Sequence, residues 1–461
     1  MMFRKETEFQ ETEIGDFPKD WEVRRLNEIA ELQRGLSYSG REKSKDEIPD
    51  GYLFLTLNSI KEGGGLKENG WMWIKSDRLK ERHFVKEGDL VIANTEQSKD
   101  GSLIGSPAIV HFPEWYKKDK AVFSMDLSKL LIKVRNVDVN FLFYYLSFVQ
   151  PIARKYHTGT NVWHLNLDPW AKDLLISLPP LDEQKRIAGV LSMIDSSIES
   201  VDRTIAKLER MKKTLLNELL TGRIRVREEN GKLTFYKETE FKDAEIGEIP
   251  KEWGVVSLED VSLTIRTGPF GSQLKKSELS ESGIKVYTQE NVIKNDFSLG
   301  NLYISYNKFE QLKNMEVKPG DVLLTIRGSI GYSAVFPEGA ERGIIHTNLA
   351  YIRVKIGLLS PKYLSLLINY HSSIKSQLIT LSSATTLGAL YAKNIKKIKI
   401  PLPPLHEQQK IVEILSMIDK AIELYRREKE RFLHLRRGLM GVLLTGRVRV
   451  VSDVRDVQVN V

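Results

Sequence analysis

The segment LPPLDEQKRIAGVLSMID, Leu178 to Asp195, returns 224 residues later as LPPLHEQQKIVEILSMID, Leu402 to Asp419, with twelve of eighteen positions identical. Agreement over that length marks a duplication. Pro179 and Pro180 stop the strand-like run LLISL, and the stretch behind them has no proline and keeps apolar residues at three-four spacing: Ile187, Leu191, Ile194, Ile198, Val201, Ile205 and Leu208. The second copy gives Ile411, Leu415, Ile418, Ile422 and Tyr425, then Phe432 and Leu435 beyond a charged slot at Lys429. Both stretches end in Thr-Gly (Thr221, Gly222; Thr445, Gly446), where glycine supplies the left-handed residue that closes a helix. A helix from Glu183 to Leu220 would be roughly 57 Å long at 1.5 Å per residue. A stripe so narrow needs a partner, and the second copy has the matching length.

The doubling reaches further in both directions. KETEFQETEIGDFPKDWEVRRLNEI (Lys5 to Ile29) returns as KETEFKDAEIGEIPKEWGVVSLEDV (Lys237 to Val261), thirteen of twenty-five positions identical, and LLTGRIRV (Leu219 to Val226) as LLTGRVRV (Leu443 to Val450). A period this long is a duplicated domain and no solenoid. The expected fold class is α+β. Two similar mixed α/β domains are each followed by a long helix, and the helices pair as an antiparallel coiled coil with pseudo-two-fold symmetry. The boundaries read from the repeats are residues 1–178 and 223–402 for the domains, 179–222 and 403–446 for the helices, and 447–461 for a tail. Antiparallel pairing would make the chain nearly cyclic, the end of the second helix returning to the first domain.

Within the domains, GYLFLTLNSI, DLVIANT, KLLIKVR, IKVYTQENVI, DVLLTIRG and YIRVKI are short apolar or alternating runs that predict strands. NFLFYYLSFVQPIARKY and PKYLSLLINYHSSIKSQL predict helices. The shared Gly88-Asp89-Leu90 and Gly320-Asp321-Val322 indicate one fold in both domains, whereas the loops differ almost completely.

Composition excludes several function classes. The 461 residues are 41% hydrophobic and 28% charged, and they contain no cysteine, hence no disulfide, thiol nucleophile or Cys-bound zinc. The start MMFRKETEFQ lacks the apolar run of a signal peptide or anchor, so a cytoplasmic location away from membranes is expected. The net charge of +8 suits a partner rich in phosphate. Catalytic motifs are missing. Gly35 and Gly40 are followed by Arg41 and not by the Lys-Ser/Thr of a phosphate loop, and HEQQK at His406 has Lys410 where a zinc helix needs its second histidine. Glu316-Val317-Lys318 is at most half of a nuclease site. No metal site and no catalytic residue are expected.

Binding chemistry is abundant by contrast. The first domain carries QRGLSYSGREKSK (Gln33 to Lys45), ANTEQSKDGS (Ala93 to Ser102) and HTGTNVWHLN (His157 to Asn166). The second carries IRTGPFGSQLKK (Ile265 to Lys276), TQENVIKN (Thr288 to Asn295), TIRGSIG (Thr325 to Gly331) and SSATT (Ser382 to Thr386). Arg and Lys can meet phosphate or guanine, Asn and Gln can pair with adenine, and the glycines allow close approach. The candidate DNA contacts are Arg34, Ser37, Tyr38, Arg41, Lys43, Asn94, Thr95, Gln97, Lys99, Thr160 and Asn161 in the first domain. In the second they are Arg266, Thr267, Ser272, Gln273, Lys275, Lys276, Gln289, Asn291, Arg327, Ser329, Thr385 and Thr386. Arg34, Arg41, Arg266 and Arg327 are read as loop residues beside glycine or serine, and Lys129, Lys133 and Arg135 as the solvated face of a strand.

In this order of parts the chain resembles the specificity subunits of Type I restriction-modification systems: EIGxxPxxW opens each unit, the GDL or GDV turn lies in the middle, and LPPLxEQ with a Leu-Leu-Thr-Gly-Arg helix end closes it. The resemblance covers nearly the whole chain. It implies a non-catalytic subunit in which each domain reads half of an asymmetric bipartite site on double-stranded DNA, in the major groove, while the paired helices set the spacing. It implies two modification subunits that bring S-adenosylmethionine and methylate adenine at N6, and restriction subunits that bring ATP and Mg; this chain holds no cofactor. Pro179, Pro180, Leu181, Glu183 and Gln184, with Pro403, Pro404, Leu405, Glu407 and Gln408, are assigned to the helix starts and the partner surface. The competing reading is a coiled-coil scaffold with two protein-binding domains, which predicts no salt-dependent DNA affinity.

Overall fold

The computed structural model describes residues 2–13, 15–67, 69–97, 100–270, 273–383 and 388–451. The chain forms two compact units, Met1–Asp202 with Arg427–Val461, and Arg203–Arg426. The long helices are Leu181–Leu220 and Leu405–Leu443, of 40 and 39 residues. The first begins two residues ahead of the expected Glu183, and both start directly behind their proline pairs. Each glutamate therefore sits in the first helical turn, where its negative charge suits the positive end of the helix dipole.

In the first unit an antiparallel sheet runs Pro107–Ile109, Leu90–Ala93, Leu127–Ile132, Ala30–Arg34. A second sheet runs Lys43–Ser44, Met72–Ile74, Tyr52–Leu55, Lys120–Phe123, Phe84–Lys86, with one parallel pair, Lys120–Phe123 on Tyr52–Leu55. Helix Val139–Ala153, capped by the Asp138 carboxylate on the Phe141 N–H, packs on the first sheet. Its buried Phe141, Leu142 and Tyr145 share a core with Ile187 and Leu191 of one long helix and Met440 and Leu443 of the other.

In the second unit the same plan recurs. Ser262–Thr267, Leu349–Val354, Val322–Thr325 and Ser333–Val335 form the antiparallel sheet. Leu279–Ser280, Tyr303–Ile304, Ile284–Tyr287 and Gly343–Ile345 form the mixed one, again with one parallel pair. Helix Pro361–Tyr370, capped by Ser360, buries Tyr363, Leu364 and Leu367 among Ile411, Leu415, Leu216 and Leu219. Some of the expected elements divide: GYLFLTLNSI is a strand, Tyr52–Leu55, and then a 3-10 turn, Leu57–Ser59. IKVYTQENVI is a strand, Ile284–Tyr287, and then a short helix, Gln289–Ile293, which Thr288 caps together with Asn291. PKYLSLLINYHSSIKSQL breaks at His371, whose backbone is extended, into Pro361–Tyr370 and Ser372–Ser383.

The long helices run antiparallel in each unit. Asp195 meets Arg436 at 2.6 Å and Asp202 meets Lys429 at 2.7 Å in the first. Glu209 meets Arg426 at 2.8 Å and Lys212 meets Asp419 at 2.6 Å in the second. The charged slot at Lys429 is thereby matched by a carboxylate. Leu435, expected in the apolar seam, is 49% exposed, because Arg436 takes the inward position toward Asp195 and Tyr144.

Both helix ends close as expected on glycine, with φ of +71° at Gly222 and +68° at Gly446. A side chain there would also collide with a proline of the opening segment: Pro250 at Gly222 and Pro18 at Gly446. That contact explains why EIGxxPxxW and TGR recur together. Beyond the glycine, Ile224–Glu229 forms a hairpin with Lys232–Lys237 in the second unit. In the first unit Val448–Val451 pairs with Met2–Lys5, so the two ends of the chain supply the strands of the matching ladder, in keeping with the cyclic arrangement expected. The expected tail is thus partly strand, and its remainder, 452–461, lies outside the described residues.

Candidate nucleic-acid interface

The antiparallel sheet of each unit delivers the candidate loops to one place. In the first unit the turn Ser124–Asp126 is the hub. The Leu36 carbonyl accepts from the Met125 N–H, the Asp126 carbonyl from the Asn94 N–H, and the Asn94 carbonyl from the Leu165 N–H, which ties all three candidate loops together. In the second unit His346–Asn348 does the same: the Asn348 carbonyl accepts from Ile326 N–H, the Ile326 carbonyl from Leu390 N–H, and Gly268 N–H donates to Leu349. Gly35 and Gly268 are required here, since a Cβ on either would overlap the carbonyl of Phe123 or of His346. Neither hub turn was among the sequence-derived candidates, and no residue type is common to the two that could have marked them.

The first unit's surface is polar and hydroxyl-rich. Ser37, Arg41, Gln97, Thr160 and Asn161 are exposed, the last two at the tip of a hairpin of His157–Thr158 and Trp163–Leu165 that also pairs with Thr95–Glu96. His157 stacks on Trp163 with ring centroids 3.9 Å apart. Tyr38 lies edge-on to Phe54 and carries Lys43 over its ring at 4.8 Å. Between Arg41 and Lys43, Glu42 is held well below its ordinary range, at about 2, by the Ser76 hydroxyl, the Ser39 N–H and Arg78. Asn94 and Thr95 point inward, Thr95 to His164 at 3.4 Å, and shape the loop from inside. Arg34 is exposed but is the last residue of strand Ala30–Arg34, not a loop residue. Lys129 is not a solvated residue: its ammonium turns inward to the Phe84 carbonyl at 2.9 Å and to the Asp89 carboxylate at 3.4 Å.

The second unit's surface is built around aromatic rings and arginine. Arg266 is exposed near the end of strand Ser262–Thr267, and with Thr267 and Gln273 it lines a groove beside Phe270. Phe270 stacks on Tyr391 at 5.7 Å, and the Arg327 guanidinium lies over it at 4.7 Å. Gln289 lies close to Gly328, where a Cβ would be 3.8 Å from its side-chain oxygen. Lys275, Lys276 and Ser329 are exposed. Asn291 is buried, its amide donating to the Asp296 and Leu299 carbonyls. Lys99, Ser272, Thr385 and Thr386 lie outside the described residues.

A family model described as "Type I restriction modification DNA specificity domain" matches residues 18–210 and 250–432. The chain belongs to that family. The type I restriction enzyme MjaVIII specificity subunit of Methanocaldococcus jannaschii is 29% identical to it over 464 residues, 98% of each chain. The EcoKI specificity subunit of Escherichia coli is 23% identical over 413 residues, 88% of this chain and 83% of that one. In fold it is similar to the type I restriction-modification S subunit from M. genitalium, with a TM-score of 0.53, 14% identity, and 92% and 96% of the two chains covered. The molecule is thus a DNA specificity subunit with two target-recognition domains, a component that works within an assembly of restriction-modification subunits on DNA.

In this specificity subunit the Glu and Gln side chains of each LPPLxEQ segment turn inward. Gln184 accepts from Asp138 N–H at 2.8 Å and donates to the Asn136 and Pro179 carbonyls; Gln408 accepts from Ser360 N–H at 2.9 Å and donates to Leu358 and Pro403. Each pins its recognition domain's helix to the start of a long helix. Glu183 is buried against Arg449, which also meets Glu6 and Asp20; Glu407 is buried against Arg225, which also meets Glu238 and Glu252. Pro180 and Pro404 are exposed, Pro179 and Pro403 buried, and Leu181 and Leu405 half-buried. Glu316, from the nuclease-like triplet, is occupied by Arg342 at 2.6 Å. Among the described residues no helix is long and apolar enough to cross a membrane.

Proposed function

We propose that each target-recognition domain reads one half of an asymmetric bipartite site in the DNA major groove, and that the paired long helices set the number of unspecified base pairs between the halves. The observation that carries this reading is one scaffold used twice with unlike loops at matching positions: seven residues beyond the turn glycine the first domain has Thr95 and the second Arg327. The contacts assigned are Arg34, Ser37, Tyr38, Arg41, Lys43, Gln97, Thr160 and Asn161 in the first domain. In the second they are Arg266, Thr267, Gln273, Lys275, Lys276, Gln289, Arg327 and Ser329. Asn94, Thr95 and Asn291 support the loops that carry them.

The complex in this reading has two modification subunits, which bind S-adenosylmethionine and methylate adenine at N6, and restriction subunits that use ATP and Mg; the specificity subunit supplies binding and register alone, in the cytoplasm. Phosphate contacts by its Lys and Arg residues give salt-dependent affinity, and base-edge contacts give the sequence. The test is modified-base sequencing of DNA from cells that co-express the chain with its modification subunit, against cells lacking only the chain. A bipartite methylated motif that appears only with the chain is the expected result. An identical pattern without it would overturn the reading in favour of a protein-binding scaffold.

A further inference from the structure

Arginines of the second unit that lie at least partly inside the fold are matched by carboxylates: Arg225 by Glu238, Glu252 and Glu407, and Arg353 by both oxygens of Asp321 at 2.8 and 2.7 Å. Arg327 is the exception. Among the described residues it has no carboxylate partner; one Nη donates to the Thr347 hydroxyl at 3.4 Å, and its Nε is buried with no acceptor. The guanidinium carbon nevertheless lies over the Phe270 ring, 4.7 Å from its centre, and Phe270 stacks in turn with Tyr391 at an interplanar angle of 14°. The side-chain oxygen of neighbouring Gln289 is likewise buried and unpaired. A guanidinium placed over an aromatic ring and left short of acceptors is suited to a planar ligand that brings two acceptors side by side.

We propose that Arg327 is a specificity-determining residue of the second recognition domain, reading a guanine of the second half-site end-on through its Nη edge to O6 and N7, with Phe270 and Tyr391 as the positioning stack. The inference rests on the reading of this domain as a DNA reader and adds the residue and the base. The arginine fork matches both a phosphate and the O6 and N7 of guanine; guanine is favoured because Arg327 stands at a position where the two domains differ, Thr95 against Arg327, and phosphate contacts carry no sequence information. Thr95 at the matching position of the first domain is buried toward His164, so the first half-site is not read this way.

The test is the methylated motif produced by the whole complex carrying R327A, R327K or F270L. The result expected is that one guanine of the second half-site becomes degenerate, with discrimination there falling on the order of 10- to 100-fold, while the first half-site and the spacing stay as in the wild type. R327K keeps the charge and loses the fork, so it should relax the same position; F270L should relax it partially. If R327K keeps the full motif, or if R327A weakens methylation evenly at every site and lowers the slope of log affinity against log salt by about 1, Arg327 is a phosphate contact and the proposal fails. Absence of any chain-dependent motif in the wild type would instead remove the underlying DNA-reader assignment.

Discussion

The two recognition domains agree where they are buried and part company where they face outward. Their frames match group for group: a glutamine on the cap of the domain helix, a buried arginine among three carboxylates, a left-handed glycine against a proline. Their tips share almost nothing, with hydroxyls and a His-Trp stack on one and an arginine over a phenylalanine that stacks with a tyrosine on the other. A duplicated domain keeps what holds its shape, because a buried charge that loses a partner is costly, and is free to change what a ligand reads.

If the frames are equivalent, breaking them at matching points should cost the same. Replacing Arg449 by methionine strands buried Glu183 and Glu6, and replacing Arg225 strands Glu407 and Glu238. Each should destabilise its unit by about 3–5 kcal/mol, visible as a lower denaturant midpoint, and a large difference between the two would break the equivalence. Acid should separate the units. Burial pushes His371 of the second unit down to about 4, and its Nδ1 has no partner. Below the free value near 6.5 the unfolded chain takes up the proton first, so stability is lost as pH falls from 6.5 toward 4, by up to about 3 kcal/mol. H371L should flatten that slope in a thermal-unfolding series. Glu6 is different: burial would raise it, but the N–H groups of Glu8 and Thr7, together with Arg449, outweigh that and lower it. Its contribution is full above the ordinary glutamate value of about 4.3 and lost only as pH drops through its depressed one.

Smaller effects test the junctions. G222A and G446A force a Cβ into a left-handed residue and into a proline, and should each cost about 1–3 kcal/mol in unfolding experiments. Exchanging Lys429 for alanine removes a partly exposed pair with Asp202 and should cost under about 1 kcal/mol, fading with added salt. A larger loss would mean the helix pairing depends on its charges more than on Ile187, Leu191 and their neighbours.

The architecture was legible because duplication writes the same physical constraint twice. The three-four spacing, the proline stops and the closing glycines marked the long helices to within three residues, and the GDL and GDV turns marked the common fold. Leu435 was misread because heptad spacing cannot tell which of two neighbours, Leu435 or Arg436, faces a carboxylate on the other strand of the coil. Lys129 was misread because alternation in a strand does not say which face is covered. The recognition surface was legible only as a set of loops. Whether Asn94 points in and Gln97 out depends on backbone bonds to Asp126 and Leu165, more than thirty residues away in sequence.

The central claim is that two domains read two halves independently, and the most direct measurement is the methylated motif of a chain whose second domain, residues 258–398, is exchanged for that of a family relative. Exchange of the second half-site alone, with the first half-site and spacing retained, is the predicted result. A motif altered in both halves, or in neither, would contradict it.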